Sequence, residues 1–349
     1  MARILVTGGA GFVGSHTCIS LLNSGHKILV IDSLENSKIE SLEKVSYISN
    51  KKLSRDFGDI CFIQGDIRDD SLLNSVFKEA YEKDQKIDGV IHFAGLKSVS
   101  ESVMNPLLYW DVNIVGTIKV LKVMEEFKCN KFVFSSSATV YGNTEKVPIK
   151  ESSKIEPLNT YGRTKATVEK LLEDIYFANK NWHIINLRYF NPIGAHPSGL
   201  IGEDPKGDPN NIFPIICEHA FGKTDFIKIF GKDWPTKDGT GVRDYIHVMD
   251  IAEAHCKAIN TVLKSESNLL SLNLGTGRGT SVDELIKCFE NVNNIELRKK
   301  YTGRRNGDCA TSYADVTLSS TKLNWKAKRS LEEMCKDGWK WKIKNPYGY

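Results

Sequence analysis

The sequence predicts a doubly wound α/β fold with a parallel sheet, followed by a smaller α/β region towards the C-terminus. In the first half of the chain, short apolar runs alternate with amphipathic helical stretches. The runs are rich in β-branched residues and apolar on both faces, which is typical of strands buried between two layers of helices. The first run passes through a glycine-rich turn into a helix, the usual opening of such a sheet.

Each predicted strand is a short apolar run, and each predicted helix has apolar residues three and four apart. We predict strands at Arg3–Thr7, Lys27–Ile31, Cys61–Gln64, Gly89–Phe93, Lys131–Ser135 and His183–Arg188, with a late one at Leu272–Leu274. We predict helices at Ser15–Leu22, Pro106–Phe127, Thr164–Asn179 and Ile246–Leu263, and a helical, charged tail from about Ser281. The polar segment 35–60 is expected to hold a helix and an exposed loop.

The turn after the first predicted strand carries glycines at Gly8, Gly11 and Gly14. Glycines at this spacing let the chain turn sharply and let its backbone approach a pyrophosphate at the helix N-terminus. The second strand leads into Asp32, whose carboxylate suits the adenosine ribose hydroxyls and would repel a 2′-phosphate. The pattern therefore predicts a Rossmann site for NAD rather than NADP. Asp66, after the third strand, suits the adenine amino group, although a plain loop aspartate is an alternative.

Tyr161 and Lys165 are four residues apart and lie on one face if the segment is helical. A nearby ammonium group lowers the pKa of a phenol and lets the tyrosine act as a base. This spacing alone is common, and an exposed Tyr and Lys is the alternative interpretation. The fifth strand, however, runs into Ser137, and small residues follow the fourth strand at 93–97. Because the carboxyl ends of parallel strands bind ligands, we expect one catalytic site there.

Composition excludes several classes of protein. The net charge of +4 in 349 residues is mild, and a small anionic ligand explains the basic run at 298–305, so no nucleic-acid partner is expected. The eight cysteines form no C-x-x-C or zinc spacing, so we expect no metal and a reducing compartment. No signal peptide or membrane span is expected, which points to the cytoplasm.

Five strings, in order along nearly the whole chain, resemble the UDP-galactose 4-epimerase family of the extended short-chain dehydrogenase/reductase superfamily. They are Val6–Cys18, His92–Lys97, Phe134–Gly142, Leu187–Gly199 and Gly239–Asp250. The last two are far more specific than the glycines. The resemblance implies an NAD-dependent enzyme of galactose metabolism. Such an enzyme interconverts UDP-glucose and UDP-galactose by inverting C4 through a transient 4-keto sugar.

Carried over residue by residue, the resemblance implies three sets of site residues. The catalytic set is Ser137, Tyr161 and Lys165. The NAD set is Gly8, Gly11, Phe12, Val13, Gly14, Asp32, Asn36, Ser37, Asp66, Ile67, Phe93, Ala94, Gly95, Lys97, Asn113, Tyr161, Lys165 and Phe190. The UDP-sugar set is Lys97, Ser137, Ala138, Thr139, Tyr161, Asn191, Asn211, Ile212, Phe230, Arg243, Arg305, Asp308 and Ser312.

The chemistry of the side chains in the UDP-sugar set also fits this role. Arg243 and Arg305 supply fork-shaped donors for two phosphates. Phe230 and Tyr245 could each offer an aromatic face to uracil, and the resemblance favours Phe230. We expect residues 1–190, with returning segments at approximately 240–275, to form the NAD-binding domain. Residues 191–239 and 276–349 are expected to form the UDP-sugar-binding domain, and the resemblance implies a homodimer.

Several positions depart from the family pattern. Ser33 follows Asp32 where Asn is common, Val112 precedes Asn113 where an Asn pair is usual, and Asn306 stands where Glu is usual. The informative departure is Ser312, where some relatives carry a bulky Tyr beside C2 of the sugar. We predict that Ser312 leaves room for an N-acetyl group, so UDP-GlcNAc and UDP-GalNAc are further candidate substrates. The alternative is that Tyr313 refills the space.

Three other functions compete with this hypothesis. A sugar-nucleotide 4,6-dehydratase needs an acid and a base beside the catalytic serine, where this chain has Ala138 and Thr139. Another NAD-dependent nucleotide-sugar enzyme, such as a UDP-glucuronate 4-epimerase, is the nearest alternative, and the stretch Asn191–His196 favours the neutral-hexose enzyme. A non-catalytic NAD-sensing protein would not need to keep both Tyr161 and Lys165.

Overall fold

The chain divides into two compact units of secondary structure. The computed structural model describes residues 1–144, 146–207, 209–264, 266–305 and 307–349, so Asn306, one of the departures above, lies outside the described residues. Unit 1 comprises Met1–Val140, Pro157–Arg188 and Ala252–Leu272. Unit 2 comprises Tyr141–Glu156, Tyr189–Ile251 and Asn273–Tyr349.

The main sheet has eight strands among the described residues, in the order β12-β7-β6-β5-β1-β2-β4-β3. The strands are β1 Arg3–Thr7, β2 Lys27–Asp32, β3 Leu53–Ser54, β4 Ile60–Gln64, β5 Gly89–His92, β6 Lys131–Ser137, β7 His183–Tyr189 and β12 Leu269–Leu274. Strand β1 pairs in parallel with β2 on one side and with β5 on the other. The predicted doubly wound sheet and its strands are confirmed.

The strand order reverses direction at β1. From β1 the chain continues outwards to β2 and β4, and then returns to β5 and β6 on the opposite side. In such sheets ligands bind beyond the carboxyl ends of the strands at this switch point. The ends of β1 and β5 are therefore where the fold itself predicts a binding site.

Helices connect the strands of the sheet. They are α1 Phe12–Asn23, α2 Glu40–Ser49, α3 Asp70–Glu82, α4 Val99–Met104, α5 Pro106–Trp110, α6 Gly116–Glu126, α7 Thr160–Ala178 and α9 Val248–Lys264. The continuous helix predicted over 106–127 is wrong in one respect, because a π-helical turn, Asp111–Val115, separates α5 from α6. Such turns often occur at functional sites, and this one positions Asn113.

Unit 2 is built from short strands and helices. Its elements are β8 Asn191–Ile193, α8 Ile212–Ala220, β9 Ile227–Phe230, β10 Val242–Arg243, β11 Tyr245–His247, β13 Thr280–Ser281, α10 Val282–Asn293, β14 Lys299–Thr302, β15 Thr311–Ser312, α11 Thr317–Leu323 and α12 Leu331–Lys344. The purely helical tail predicted from about Ser281 is wrong, because β13, β14 and β15 lie within it. Strands β13 and β15 pair with β10, and β14 pairs with β9. The partners are more than 35 residues apart in sequence, so a local periodic pattern does not reveal the pairing.

Each unit has its own apolar core. In unit 1, Leu5, Leu29, Val90 and Phe132 are fully buried in the sheet and belong to one cluster. In unit 2, helices α10 and α12 contribute Phe289 and Cys335 to a second cluster, which also contains Ile227 from β9. Among the described residues, no helix combines the length and the apolar character needed to cross a bilayer.

Candidate active site

The glycine-rich turn is packed so closely that side chains would not fit. Gly8 has a φ of +70°, and a Cβ atom there would lie 2.6 Å from the backbone nitrogen of Ala94, just beyond β5. A Cβ atom on Gly14 would lie 2.3 Å from the Gly8 carbonyl oxygen. Gly11 is the N-cap of α1 and has no side chain with which to cap the N–H groups of the first turn. The turn therefore leaves backbone donors and a helix dipole for an anion such as a pyrophosphate.

Asp32 is buried at the carboxyl end of β2 and organises the loop around it. Its Oδ2 accepts a hydrogen bond from the Ala10 N–H, at 2.9 Å, inside the glycine-rich turn. Its Oδ1 accepts from the Leu34 N–H at 3.0 Å and from the Ser37 hydroxyl at 2.8 Å. The carboxylate thus links the two segments that the sequence predicted to hold the adenosine half of NAD.

Asp66 and Ile67 have roles within the protein itself. Arg68 donates from Nε to both carboxylate oxygens of Asp66, at 3.0 and 3.1 Å, and these hydrogen bonds lower the pKa of Asp66. The Ile67 side chain is buried in the core of unit 1, where it packs against Gly116 at the start of α6. The contact of Ile67 with NAD stays a prediction, and with the side chain in the core it would fall to the Ile67 backbone.

Asn113 braces the loop after β5. Its Oδ1 accepts from the Leu96 N–H at 2.8 Å, and its Nδ2 donates to the Leu96 carbonyl at 3.1 Å and to the Thr164 hydroxyl at 3.0 Å. A Cβ atom on Gly95 would lie 2.9 Å from Asn113 Oδ1. Both amide hydrogens are therefore engaged. The side chain joins the loop at 93–97 to helix α7, which carries Tyr161.

Tyr161 and Lys165 lie close together on α7, and Ser137 ends β6, the strand that α7 contacts. Tyr161 is only 6% exposed, and Lys165 Nζ lies 5.9 Å from the centre of its ring. Ser137 ends β6, and its Oγ accepts hydrogen bonds from the Thr139 N–H and hydroxyl at 3.2 and 3.0 Å. A Cβ atom on Gly162 would lie 2.9 Å from the Thr139 carbonyl oxygen, so α7 begins in close contact with this turn.

Lys165 is a buried cation. Its Nζ donates to the Ser135 carbonyl at 2.8 Å and lies 4.8 Å from the centre of the Phe134 ring. Burial lowers the pKa of Lys165 to about 8, against an attraction by Glu169 that raises it. Lys165 is therefore close to its titration point at neutral pH, where a neighbouring charge has a large effect on its protonation.

His92, at the end of β5, is a neutral structural residue. Thr117 donates its hydroxyl to the Asn113 carbonyl at 2.6 Å, so His92 Nε2 is the donor in its 2.9 Å contact with Thr117. His92 Nδ1 then accepts from the Thr7 hydroxyl at 2.7 Å. Burial, and secondarily the charge of Lys165, lowers the pKa of His92 to about 3. His92 thus ties β1 and α6 to β5 without carrying charge.

Five residues of the predicted UDP-sugar set form a cluster in unit 2. Arg305 stacks over Phe230, with 5.5 Å between its guanidinium carbon and the ring centre. Arg305 donates to Asp308 from Nη2 at 2.9 Å and from Nε at 3.2 Å, and Arg243 Nη2 lies 3.9 Å from the same carboxylate. Arg243 in turn pairs with Ser312 across β10 and β15. The cluster offers an aromatic face beside two guanidinium groups.

Tyr313, the neighbour of Ser312, is held by contacts with other segments of unit 2. A Cβ atom on Gly279 would lie 3.1 Å from Cδ1 of Tyr313, so the Tyr313 ring packs against Gly279. The backbone carbonyl of Tyr313 accepts from the Ile149 N–H at 2.8 Å, which holds this residue in place. The small Ser312 side chain therefore stands beside Arg243 without a bulky aromatic substitute from Tyr313.

The remaining predicted residues are placed separately. Phe12 and Val13 are half-buried at the start of α1, Phe93 packs on His255 with ring centres 4.6 Å apart, and Phe190 is buried. Asn36, Lys97 and Asn211 are exposed, Ala138 and Ile212 are half-buried, and Asn191 pairs with Tyr245 across β8 and β11. Asn211 lies at the N-terminus of α8, and its Nδ2 is 3.5 Å from Glu203 Oε1.

Sequence reasoning missed three buried polar residues that hold segments of the two units in place. Glu169 and Arg188 form a buried ion pair directly below Lys165. Glu169 could have been found, because it follows Tyr161 and Lys165 at the same spacing of four along α7. Asp244 was also missed. Its buried carboxylate accepts from the Thr276, Gly277 and Ala314 N–H groups and so joins three segments of unit 2.

A parallel sheet with a glycine turn at its switch point, and a Ser-Tyr-Lys group beyond β6, defines an NAD-dependent enzyme of the extended short-chain dehydrogenase/reductase class. A family model described as GDP-mannose 4,6 dehydratase matches residues 5–338. The chain is 50% identical over 346 residues to UDP-glucose 4-epimerase from Bacillus subtilis (strain 168), covering 99% of this chain and 98% of the relative.

Two crystal structures have the same fold. UDP-glucose-4-epimerase from Stenotrophomonas maltophila, with bound NAD and formylated UDP-arabinopyranose, has a TM-score of 0.93 and 44% identity, covering 99% of this chain and 98% of that one. UDP-glucose 4-epimerase from Bifidobacterium longum, in complex with NAD+ and UDP, has a TM-score of 0.92 and 42% identity, covering 99% and 100%. This chain belongs to the UDP-glucose 4-epimerase family.

The family model and the relatives differ in the reaction they name. Dehydration needs a proton donor and a base beside the catalytic serine, to remove water across C5 and C6. The residues that follow Ser137 are Ala138 and Thr139, neither of which is such an acid or base. The site therefore agrees with the relatives, which are named epimerases.

Proposed function

We propose that this chain inverts C4 of UDP-hexoses, interconverting UDP-glucose and UDP-galactose, with NAD as a cofactor that is regenerated in each turnover. The observation that carries the proposal is the group formed by Ser137, Tyr161 and Lys165 beyond the carboxyl end of β6. A buried phenol beside an ammonium and a serine hydroxyl is equipped to deprotonate an alcohol. Inversion at C4 of the hexose begins with removal of the hydroxyl proton at that carbon.

The glycine-rich turn and Asp32 are suited to binding NAD. The glycine-rich turn leaves the N-terminus of α1 without a side-chain cap, and its glycines carry no side chains that would keep a pyrophosphate away from the backbone N–H groups. Asp32 places a buried carboxylate at the end of β2, where it suits ribose hydroxyls and disfavours a 2′-phosphate. When bound, NAD takes up a hydride from C4 of the sugar and gives it back. NAD would be held by the glycine-rich turn, Asp32, the 93–97 loop, Tyr161 and Lys165.

Tyr161 is the proposed base and acid. As a phenolate it removes the C4 hydroxyl proton. As a phenol it returns the proton after the 4-keto sugar has rotated to present its opposite face. The Lys165 ammonium, held by the Ser135 carbonyl, favours the phenolate electrostatically. The Ser137 hydroxyl accepts from Thr139 and keeps its own proton for the substrate oxygen, so it supports the alkoxide and then the ketone.

The UDP group is proposed to be held by unit 2. Phe230 offers a face to uracil, while Arg305 and Arg243 supply donors to the two phosphates. Inversion requires that the 4-keto hexose presents its opposite face to the cofactor. The protein must therefore bind the UDP group tightly and the sugar loosely. The Arg243–Asp308–Arg305 cluster meets the first requirement, because its groups are charged and held by one another.

The proposal extends to N-acetylated sugars. Ser312 is small and lies beside Arg243, and the Tyr313 ring packs elsewhere, against Gly279. We expect UDP-GlcNAc and UDP-GalNAc to be interconverted, and Ser312→Tyr to lower kcat/KM for these two sugars at least tenfold while changing UDP-glucose turnover little. Equal losses for both sugar classes, or wild-type protein that epimerises UDP-glucose but not UDP-GlcNAc, would contradict this extension.

The proposed assembly is a homodimer, in the cytoplasm. Helices α4 and α5 pack on α7 and leave Met104, Leu107 and Phe177 at the surface, with Leu107 83% exposed. Large apolar side chains exposed in this way favour a protein partner, and a second copy is the occupant that the family resemblance implies. All eight cysteines are free thiols, which supports a reducing compartment. Sedimentation equilibrium should give twice 39.2 kDa; a monomer at micromolar concentration contradicts the dimer.

The test of the reaction uses purified protein without added NAD. UDP-glucose, UDP-galactose and UDP-glucuronate are supplied separately, and products are resolved by chromatography. We expect the first two to interconvert because NAD stays bound, and UDP-glucuronate to remain unchanged. Turnover of UDP-glucuronate alone would favour the uronate epimerase, and loss of water from the sugar would favour a dehydratase.

A further inference from the structure

A buried ion pair lies behind the proposed catalytic group. Arg188, near the end of β7, donates from Nε to Glu169 Oε1 at 2.9 Å and to Oε2 at 3.1 Å, and from Nη2 to Oε2 at 2.5 Å. Both side chains are buried. The Ser136 hydroxyl donates to Glu169 Oε1 at 2.5 Å. Glu169 is therefore held rigidly, by a forked guanidinium on one side and a hydroxyl on the other.

The position of this pair relates it to Lys165. Tyr161, Lys165 and Glu169 follow one another at intervals of four on α7, so they share one face of the helix. Strand β6 faces them with consecutive serines. The Ser135 carbonyl accepts from Lys165, the Ser136 hydroxyl binds Glu169, and the next residue is the proposed catalytic serine. One strand and one helix thus hold both the acid–base group and the charge behind it.

The charged and titratable groups around Lys165 come from several elements. On α7 these are the Tyr161 phenol and the Glu169 carboxylate, and β7 contributes Arg188, whose charge is engaged by Glu169. Strand β5 contributes His92, which is neutral near pH 7. Among these groups the carboxylate is that of Glu169. Its attraction raises the pKa of Lys165, whereas burial lowers it.

Stability alone does not explain a buried Glu–Arg pair. The cost of removing two charges from water generally equals or exceeds their mutual attraction, so well-packed apolar residues at such positions are commonly as stable or more stable. The pair lies next to the one cation that the reaction requires. We propose that Glu169, held by Arg188 and Ser136, is a positioning residue that keeps Lys165 protonated, so that its ammonium is available to the Tyr161 phenolate. This inference rests on the roles proposed above for Tyr161 and Lys165.

Three variants separate this role from a structural one. Glu169→Gln removes the negative charge and keeps the size of the side chain. The double variant Glu169→Leu/Arg188→Met removes both charges together and leaves no uncompensated buried ion, so it remains testable if the single variant does not fold. Glu173→Gln is the matched control, because Glu173 lies one further turn along α7 and pairs with the exposed Lys170.

The first readout is the pH dependence of kcat with UDP-galactose. Wild-type activity should fall on the alkaline side near pH 8, as Lys165 loses its proton. In Glu169→Gln this limb should move down by about one pH unit, with a loss of kcat of about fivefold at pH 8, because an attraction across a few ångströms is lost. The double variant should show a smaller shift in the same direction, because Arg188 is lost with Glu169. Glu173→Gln should match wild type.

The second readout does not depend on turnover. The tyrosinate absorbance of Tyr161 is titrated as the difference between each protein and the same protein carrying Tyr161→Phe. Tyr161 should ionise at higher pH in Glu169→Gln than in wild type. A folded Glu169→Gln or double variant with unchanged profiles in both readouts would overturn the inference. If wild-type protein epimerises nothing, the proposed function fails, and the tyrosinate titration still decides the role of Glu169.

Discussion

The two units of this molecule hold their candidate functional groups in opposite ways. In unit 1 the groups are buried and already engaged: Tyr161 is 6% exposed, Lys165 is bound to the Ser135 carbonyl, and Asp32 accepts three hydrogen bonds. In unit 2 the Arg305 side chain is 56% exposed, and its contacts are those to Phe230 and Asp308. Proton transfer needs groups fixed in place before substrate arrives. Capturing a charged nucleotide needs accessible donors instead.

This contrast implies that substitutions in the two units should impair different steps of the reaction. A change in the buried group should lower kcat and leave nucleotide binding intact. A change among the arginines of unit 2 should weaken binding more than the chemical step. Four substitutions, taken in order of the size of their expected effect, test this difference between the units.

The largest effect is expected from Tyr161→Phe. Removing the phenolic oxygen removes the proposed base, so kcat for UDP-galactose should fall by about 10²–10⁴-fold. The aromatic ring remains, so thermal unfolding and the affinity for UDP should stay near wild type. Steady-state kinetics, UDP titration calorimetry and a melting curve on one preparation check this. Retention of more than half of wild-type kcat would remove Tyr161 from the mechanism.

A smaller effect is expected from the arginines of unit 2. Arg243→Met should weaken UDP binding by roughly 10–100-fold, because a charge-assisted donor on a mostly buried side chain is lost. Arg305→Met is the matched comparison and should cost less, because the Arg305 side chain is 56% exposed and that of Arg243 is 20% exposed. Calorimetry with UDP alone measures both. A larger loss at Arg305, or a fall in kcat without loss of binding, would contradict the division of roles.

The smallest effect is a gain in stability from Lys165→Met. The pKa of Lys165 is lowered by burial to about 8 in the folded protein, from 10.5. The unfolded chain thus binds this proton more tightly, so the charged lysine destabilises the fold below pH 8, and the penalty is relieved as pH rises towards 10.5. The shift corresponds to ~3 kcal/mol at pH 7, and loss of the hydrogen bond to the Ser135 carbonyl offsets roughly 2 kcal/mol of it. Lys165→Met should therefore raise the free energy of unfolding by ~1 kcal/mol at pH 7, while losing activity.

Urea unfolding at pH 7 and at pH 10 measures this difference. The stability gap between Lys165→Met and wild type should narrow at the higher pH, because wild-type Lys165 is then largely neutral in the fold. A variant less stable than wild type at pH 7 would mean that the hydrogen bond to the Ser135 carbonyl outweighs the cost of burying the charge. The lysine would then serve the fold as well as the reaction.

Unit 1 was largely predictable from sequence. Its strands are buried on both faces and long enough to stand out as apolar runs, and Gly8, Asp32, Ser137 and Tyr161 follow strand ends or begin a helix. What the pattern did not show was the hydrogen bonding inside this frame. The Asn113 contact with the cofactor stays a prediction, but the hydrogen bonds of its amide to Leu96 and Thr164 left no signal in the sequence. That bracing depends on a π-helical turn, which helical periodicity does not distinguish from a regular helix.

Unit 2 was less predictable. Strands β10, β13 and β15 have two residues each and are defined by partners distant in sequence. Such pairs leave no periodic signal, so the tail was predicted as helix. The residues of its nucleotide cluster came from family resemblance, since lone arginines and a phenylalanine carry little information in isolation. Their contacts through Asp308 became visible only in three dimensions.

The most direct test of the central claim follows the hydrogen at C4. Purified protein is given UDP-galactose that carries deuterium at C4, in ordinary water, and the UDP-glucose product is analysed by mass spectrometry and NMR. Removal of that hydrogen as a hydride, and its return within the same complex, predicts product that keeps the deuterium at C4. Product with protium at C4 would contradict the account, because the hydrogen would then have left as a proton and exchanged with solvent.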